Sequence, residues 1–153
     1  MHALELKIPP PAVAFLAGLA MWAASRPGPS IELPLAVRIA VFVAIALLGG
    51  AMALAGDIAF RRARTTINPF RPQNASALVT SGVYRYTRNP MYLGLTLVLA
   101  GWAAFLCSAW ALLGPVAFVA YIRRFQIAPE ERILSGKFGA AYAEYMARVR
   151  RWV

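Results

Sequence analysis

The sequence predicts an all-α, polytopic integral membrane protein, and two observations carry that prediction. Hydrophobic residues make up 60% of the 153 residues. A soluble domain typically has about 45–50% apolar residues. The excess lies in long runs without a formal charge, among them 39–56 and 89–122. Because about 20 apolar residues cross a bilayer core as a helix, we expect one domain, 1–153, with about four transmembrane helices and a C-terminal amphipathic cytoplasmic helix.

The distribution of charge favours a membrane rather than a nucleic acid as the partner. The formal net charge is +10, and 13 of the 16 basic residues follow Phe60, in the stretches 61–88 and 123–151. Positive charge beside apolar spans is typical of cytoplasmic loops. The pattern therefore predicts a multi-pass protein with both termini in the cytoplasm. No nucleic-acid partner is expected, and the sequence does not predict the oligomeric state.

The first span is predicted at 10–25, where an Ala-rich run follows three consecutive prolines. The run also resembles the apolar part of a signal peptide. We prefer a transmembrane helix because the remaining apolar segments need a helix to pack against.

The second span is predicted at 35–60. Its second half carries small residues about one helical turn apart, which would allow a neighbouring helix to approach closely. They are Gly49, Gly50, Ala53 and Gly56. Asp57 and Arg61 are spaced for an ion pair across one turn of the same helix.

A cytoplasmic loop is predicted at 61–89, followed by the long uncharged run. As one helix, the 34 residues 89–122 would be about 51 Å long, which exceeds the bilayer core of about 30 Å. A single span would also place Arg88 and Arg123 on opposite sides of the membrane. A hairpin of two short spans, 90–106 and 109–125, resolves both conflicts. We expect Gly114 and Pro115 to kink the second of them.

The C-terminal helix is predicted at 129–149. Pro129 suits the first turn of a helix, and the acidic Glu130 and Glu131 suit its N-terminal dipole. Apolar residues then recur at helical spacing, which makes the helix amphipathic, and a membrane-surface anchor is the simplest interpretation. These residues are Ile133, Leu134, Phe138, Ala141, Tyr142, Tyr145, Met146 and Val149.

The cytoplasmic side holds two polar features: the segment 84–92 and the Glu130-Glu131 pair. Carboxylates accept hydrogen bonds from ribose hydroxyls or an ammonium group, arginines bind a carboxylate or phosphate, and aromatic faces favour a cation. Together they suit a zwitterionic ligand with a positive centre. A structural role explains the glutamates equally well: they would cap a helix and pair with Arg85, Arg88 or Arg124. A single histidine and a single cysteine argue against a metal site.

Two motifs on either side of the predicted hairpin resemble the isoprenylcysteine carboxyl methyltransferase family and its wider kin, the phospholipid methyltransferases. They are GVYRYTRNPMYLG at 82–94 and EERILSGKFGAAYAEYMARVRRW at 130–152. The resemblance covers 65–152, and it implies transfer of a methyl group from S-adenosylmethionine to a lipophilic or lipid acceptor at the cytoplasmic membrane face. It places the cofactor contacts on Ser76, Ala77, Leu78, Val79, Tyr84, Asn89, Pro90, Met91, Tyr92, Glu130 and Glu131.

Two positions depart from the family pattern. The eukaryotic prenylcysteine enzymes have histidine where this chain has Asn89, and an amide cannot carry the charge needed for proton transfer. They also have an arginine, associated with substrate, where this chain has Gln126. We take Gln126 and the nearby Arg124 as candidate substrate-binding residues. Methyl transfer from a sulfonium depends on alignment of the reactants, so no catalytic side chain is predicted.

Two other functions fit the sequence. A membrane reductase of lipids or enones would use NADPH, and a non-catalytic lipid-binding scaffold would keep the helical bundle without turnover. Binding of S-adenosylmethionine or of NADPH distinguishes these possibilities.

Overall fold

The computed structural model describes residues 5–27, 30–65 and 74–153. The predicted loop residues 66–73 and the first four residues of the predicted domain lie outside these ranges. Within them the protein is helical, with no β-strand, so the all-α prediction is confirmed. The five α-helices are α1 (Pro10–Ser25), α2 (Leu35–Arg62), α3 (Pro90–Leu106), α4 (Leu113–Ile122) and α5 (Ala128–Arg148).

Proline determines where several helices begin. Pro10, Pro90 and Pro129 each lie in the first two positions of a helix, and Pro34 immediately precedes α2. Proline is tolerated there because its missing N–H would have no partner inside the helix. Pro115 also lies in the first turn of α4. Gly114 and Pro115, where a kink is predicted, thus lie just after the change from the 3₁₀ turn Ala109–Leu112 to α4.

Among the described residues, two helical stretches are long and apolar enough to cross a membrane: Leu35–Arg62 and the continuous Ala109–Arg148. Pro10–Ser25 and Pro90–Leu106 are shorter apolar helices. Large apolar side chains of α2, such as Leu47 and Leu48, are exposed. An exposed apolar surface of this size is unusual in a soluble monomer and is what contact with lipid requires.

A tight turn joins α3 to α4. Cys107 ends α3 in the left-handed backbone conformation with φ of 52°, within the region where the sequence predicted a turn. The Cys107 carbonyl accepts a hydrogen bond of 2.9 Å from the Ile31 N–H. A short 3₁₀ turn, Ala109–Leu112, then leads into α4. The loop between α1 and α2 thereby supports the hairpin turn.

Glycines bring α2 and α3 into backbone contact. A Cβ atom at Gly49 would lie 2.5 Å from the Gly94 carbonyl oxygen, and one at Gly56 would lie 3.1 Å from Pro90 Cγ. Gly50 differs, because an added Cβ there meets nothing within 4 Å. The predicted close packing is thus present at Gly49 and Gly56 and absent at Gly50. The Asp57–Arg61 ion pair is present, with 2.6 Å between Oδ2 and Nε.

The C-terminal helix is continuous with α4, which the sequence did not predict. One turn of π-helix, Arg123–Ile127, connects α4 to α5, and the Ala128 N–H donates to the Arg123 carbonyl. A second irregularity lies at Gly139, whose φ of 50° divides α5. Tyr142 and Tyr145 of α5, and Val149 just after it, pack in a buried cluster with Leu78. The apolar face predicted for this helix therefore covers protein.

Arg38 connects α2 to the C-terminal end of α3. Its Nε donates a 2.7 Å hydrogen bond to the Phe105 carbonyl, and its guanidinium carbon lies 4.8 Å from the centre of the Phe105 ring. We expect Arg38→Met to lower the midpoint of thermal unfolding by about 4–8 °C, since a hydrogen bond from a charged group contributes about 1.5–3 kcal/mol.

The measurement is thermal unfolding of the detergent-solubilised protein. Arg26→Met is the matched control, because Arg26 is exposed and stacks on the exposed Trp22 at 4.0 Å. Equal midpoints for the two variants would contradict a stabilising role for the Arg38 hydrogen bond.

Candidate functional site

A cavity of about 110 Å³ lies where α2 ends and where α3 and α5 begin. Its walls come from α2, the segment 75–79, the 3₁₀ turn Gly82–Arg85, the start of α3, the π-turn and α5. Of the lining residues that the structure describes, most are apolar or aromatic and three are charged. The lining residues are Phe60, Ala75, Ala77, Leu78, Val79, Tyr84, Arg88, Asn89, Met91, Tyr92, Ile127, Glu130, Glu131, Leu134, Tyr142 and Tyr145.

Glu130 is the carboxylate on the cavity wall that hydrogen bonds hold in place. Its Oε1 accepts a 2.6 Å bond from the Tyr92 hydroxyl and a 2.8 Å bond from Gln126 Nε2. Burial raises the pKa of Glu130 to about 7, the two hydrogen bonds lower it, and the nearby charge of Glu131 raises it further. Glu130 therefore changes charge near neutral pH, which is common for groups in functional sites.

The neighbouring Glu131 is ion-paired. Arg88 Nη2 lies 3.1 Å from its Oε1, and Arg151 binds both of its oxygens, with Nε 3.0 Å from Oε1. A fork of two parallel bonds between arginine and carboxylate is a strong, directional contact. Of the three partners predicted for the glutamates, Arg88 alone makes a described ion pair with this acid. The two adjacent glutamates thus do different things: Glu131 ties α5 to two arginines, and Glu130 faces the cavity.

Tyrosines form one side of the cavity. The buried Tyr145 donates a 2.7 Å hydrogen bond to the Tyr84 carbonyl, and the Tyr84 ring packs edge-on against Phe60 at 5.3 Å. Burial raises the pKa of Tyr84, of Tyr145 and of Tyr142, the last to about 12. All three hydroxyls are therefore neutral at physiological pH, and the rings offer aromatic faces to a ligand.

The segment after α5 binds the segment before α3. The Asn89 side-chain amide donates a 2.8 Å hydrogen bond to the Arg151 carbonyl, and the Arg88 N–H donates one of 3.1 Å to the Arg150 carbonyl. Asn89 therefore lines the cavity while its amide fixes the backbone of residues 150–151. Asn89, which stands where the family pattern has histidine, therefore has a structural role.

Nine of the eleven cofactor contacts predicted from the resemblance lie on the cavity wall: Ala77, Leu78, Val79, Tyr84, Asn89, Met91, Tyr92, Glu130 and Glu131. Ser76 is exposed and does not line the cavity; its N–H donates to Thr65 Oγ1 at 2.8 Å. Pro90 is buried in the first turn of α3, outside the lining.

The two candidate substrate residues are placed differently. Gln126 is buried and contacts the site through Glu130, whereas the exposed Arg124 pairs with Glu5 at 3.4 Å and does not line the cavity. Arg124 was predicted from proximity in sequence, and the helical rotation of the π-turn separates it from Gln126.

Several lining residues were missing from the predicted site. Tyr142 and Tyr145 were predicted only as part of an apolar helix face, although they are the two tyrosines of the second motif. Phe60, Ile127 and Leu134 give no distinguishing signal in the sequence, because an apolar residue near a helix end is equally common in a core. Their place on the wall depends on how α2, the π-turn and α5 converge.

Chemically, the cavity suits a ligand with a positive centre, hydroxyl groups and a flat or apolar part. Glu130 provides a carboxylate beside aromatic rings, a combination that attracts cations. Leu78, Val79 and Ile127 provide apolar surface. Small-molecule sites commonly combine such apolar walls with a few fixed polar groups.

Comparisons with known proteins show the family of this chain. The family model for phospholipid methyltransferases matches residues 37–141. Protein-S-isoprenylcysteine O-methyltransferases A and B of Arabidopsis thaliana are each 32% identical to this chain over 106 residues, which is 67% of this chain and 52% of each plant protein. An uncharacterized protein of Haemophilus influenzae is 46% identical over 63 residues, 41% of this chain and all of that protein.

The chain thus spans about half the length of the plant relatives that it matches. The resemblance drawn from the two motifs is confirmed.

Proposed function

Because this chain belongs to the phospholipid methyltransferase family, we propose that it transfers a methyl group from S-adenosylmethionine to a lipophilic or lipid acceptor at the membrane. The observation that supports this proposal best is the position of Glu130. This carboxylate comes from the second motif, its partner Tyr92 comes from the first, and the 2.6 Å hydrogen bond between them lies on the wall of the cavity.

The lining residues fit this methyl donor. When bound, S-adenosylmethionine supplies an activated methyl group on a sulfonium. Glu130 would hold a positively charged or hydroxyl group of the donor, and the rings of Tyr84 and Tyr142 would face its positive charge. Leu78, Val79 and Ile127 would cover its flat, apolar part. The charged Arg88 is occupied by Glu131, which fixes the wall around these contacts.

The chain's part in catalysis would be to bind, align and exclude water. A displacement at an activated methyl carbon is accelerated by holding the reacting atoms in line. The cavity offers fixed groups for this purpose: Glu130 is held by two hydrogen bonds, and Tyr84 by Tyr145. Apolar walls exclude water and strengthen the electrostatic contacts inside. A carboxylate acceptor would need no base, whereas an amine or thiol acceptor would have to lose a proton.

The arrangement in the membrane is part of the proposal. The apolar helices α1, α2, α3 and α4 would be four spans of one domain, with the cavity on the cytoplasmic side. Two contacts support this arrangement: Leu6 hydrogen-bonds to Phe125, which follows α4, and Asn89, which precedes α3, hydrogen-bonds to Arg151. Four crossings bring both termini to one side, and the basic stretches favour the cytoplasm.

Ligand binding tests the proposal directly. We expect the purified protein in detergent or lipid nanodiscs to bind S-adenosylmethionine in calorimetry and to transfer its radiolabelled methyl group into a membrane lipid extract. Among the residues that the structure describes, Arg88 is the one arginine on the cavity wall, and it is paired with Glu131. The described part of the wall therefore offers no unpaired cation to the additional phosphate of NADPH.

NADPH is therefore the control ligand. Binding of NADPH without S-adenosylmethionine would overturn the proposal in favour of a membrane reductase. Binding of the methyl donor without transfer to any lipid fraction would favour a lipid-binding scaffold.

A further inference from the structure

The segment just before α1 contacts the π-turn from outside the cavity. The Leu6 N–H donates a 3.0 Å hydrogen bond to the Phe125 carbonyl, in the middle of Arg123–Ile127. Leu6 has a φ of 56°, a left-handed backbone conformation that is unfavourable for a residue with a Cβ atom. A residue other than glycine keeps such a conformation only where surrounding contacts hold it in place.

Glu5 provides those contacts. Its side chain is 5% exposed, and its carboxylate oxygens lie 3.4 Å from Arg124 Nη1 and 2.8 Å from Arg132 Nη2. Arg124 belongs to the π-turn, and Arg132 to the first turns of α5. One acid therefore connects the π-turn to the helix that follows it.

The π-turn determines where Gln126 lies. A π-turn changes the rotation of every residue after it relative to an α-helix, and such turns are frequent at functional sites. Gln126 is 2% exposed within the turn and donates its 2.8 Å bond to Glu130. If the turn loosened, the backbone at Gln126 would change direction, and its side chain would lose the fixed approach to Glu130.

We propose that Glu5 and Leu6 form a strap that holds the π-turn in register and so positions Gln126 against Glu130. Glu5 is then a positioning residue for the cavity, although it does not line it. The expected effect of the strap on ligand affinity rests on the proposed function. Its expected effect on the π-turn does not.

Hydrogen exchange tests whether the strap holds the π-turn. We expect Glu5→Ala and the milder Glu5→Gln to speed amide exchange in peptides covering 121–132, while peptides of α2 and α3 exchange as in the wild type. Glu144→Ala is the matched control. Glu144 also forms an ion pair with an arginine, Arg148 at 3.6 Å, but both residues lie on α5 and are exposed. Unchanged exchange in 121–132 in both Glu5 variants would overturn the proposal.

A double-mutant cycle tests whether Glu5 acts on the ligand site through Gln126. We expect Glu5→Ala to weaken the affinity for S-adenosylmethionine about fivefold, and to have little further effect when Gln126→Ala is already present. An equal loss in both backgrounds would mean that Glu5 acts elsewhere, and would overturn the positioning role.

The pH dependence of affinity adds a readout that a general loss of stability would not change. The hydrogen bond from Gln126 lowers the pKa of Glu130. When this bond is lost, the pKa of Glu130 should rise, and the pH midpoint of the affinity should rise with it. The other titratable groups that interact with this carboxyl, Tyr92, Tyr84, Tyr142 and Glu131, are chemically unchanged in the Glu5 variant. An unmoved midpoint in Glu5→Ala would contradict the strap. If the wild type does not bind S-adenosylmethionine, the proposed function fails, and the exchange experiment alone decides about the strap.

Discussion

Glu130→Gln is expected to weaken the affinity for S-adenosylmethionine about tenfold to a hundredfold at pH 7.5, since a hydrogen bond to a charged group contributes about 1.5–3 kcal/mol. The wild type should lose affinity as the pH falls from 7.5 to 5.5, approaching about tenfold per pH unit below the pKa of about 7. Protonation removes the negative charge that a cationic ligand needs. Calorimetry across this pH range measures both effects, and the glutamine variant should show no such dependence.

Stability should respond in the opposite direction. The folded-state pKa of Glu130 is raised from 4.5 to about 7. Its ionisation therefore costs folding free energy progressively as the pH rises through that interval, and the full cost is present above it. The ligand-free Glu130→Gln protein should unfold at a higher temperature than the wild type at pH 8. A variant that loses both affinity and stability would contradict a binding role for this carboxylate. Glu144→Gln, at an exposed position, is the control.

Gly49→Ala is expected to lower the midpoint of thermal unfolding by about 5–10 °C, because a methyl group there would lie 2.5 Å from the Gly94 carbonyl oxygen. Overpacking of this kind costs about 1–3 kcal/mol or more. The adjacent Gly50→Ala is the matched control: its added methyl meets nothing within 4 Å, and alanine favours the helix by about 1 kcal/mol. Thermal unfolding of the two variants in the same detergent gives the comparison.

Gly49→Ala should also affect ligand binding in the cavity. Displacing α3 from α2 moves Tyr92, which holds Glu130, so Gly49→Ala should weaken binding of S-adenosylmethionine while Gly50→Ala leaves it unchanged. Equal unfolding temperatures for the two alanine variants would contradict the backbone contact between α2 and α3.

The sequence predicted much of the helical architecture because its determinants are local. Prolines at 10, 90 and 129 begin helices wherever they occur in such a context, and long uncharged runs cannot remain as loops in water. The two motifs also led to Tyr92 and Glu130, which are 38 residues apart and hydrogen-bonded in the structure. Those residues were identified by resemblance; the physical chemistry of the residues alone left a structural role for both glutamates open.

What the sequence did not predict depends on tertiary contacts. The π-turn has no local signature: it follows from the burial of Ile122 just before it and of Ile127 at its end, and from its contact with Leu6. The different roles of Glu130 and Glu131 follow from the rotation of about 100° between neighbouring helical residues. Which of the two faces Tyr92 and which faces Arg151 is decided by that rotation.

The continuity of α4, the π-turn and α5 has a consequence for the membrane around the protein. An apolar helix tilts to match the hydrophobic thickness of its bilayer. Since α4 passes into α5 without a loop, a tilt of α4 also turns the residues beyond it, Gln126 and Glu130 among them. In the proposed arrangement, in which α4 crosses the membrane, the geometry of the cavity would be coupled to bilayer thickness, and the length of the acyl chains would affect the site from a distance.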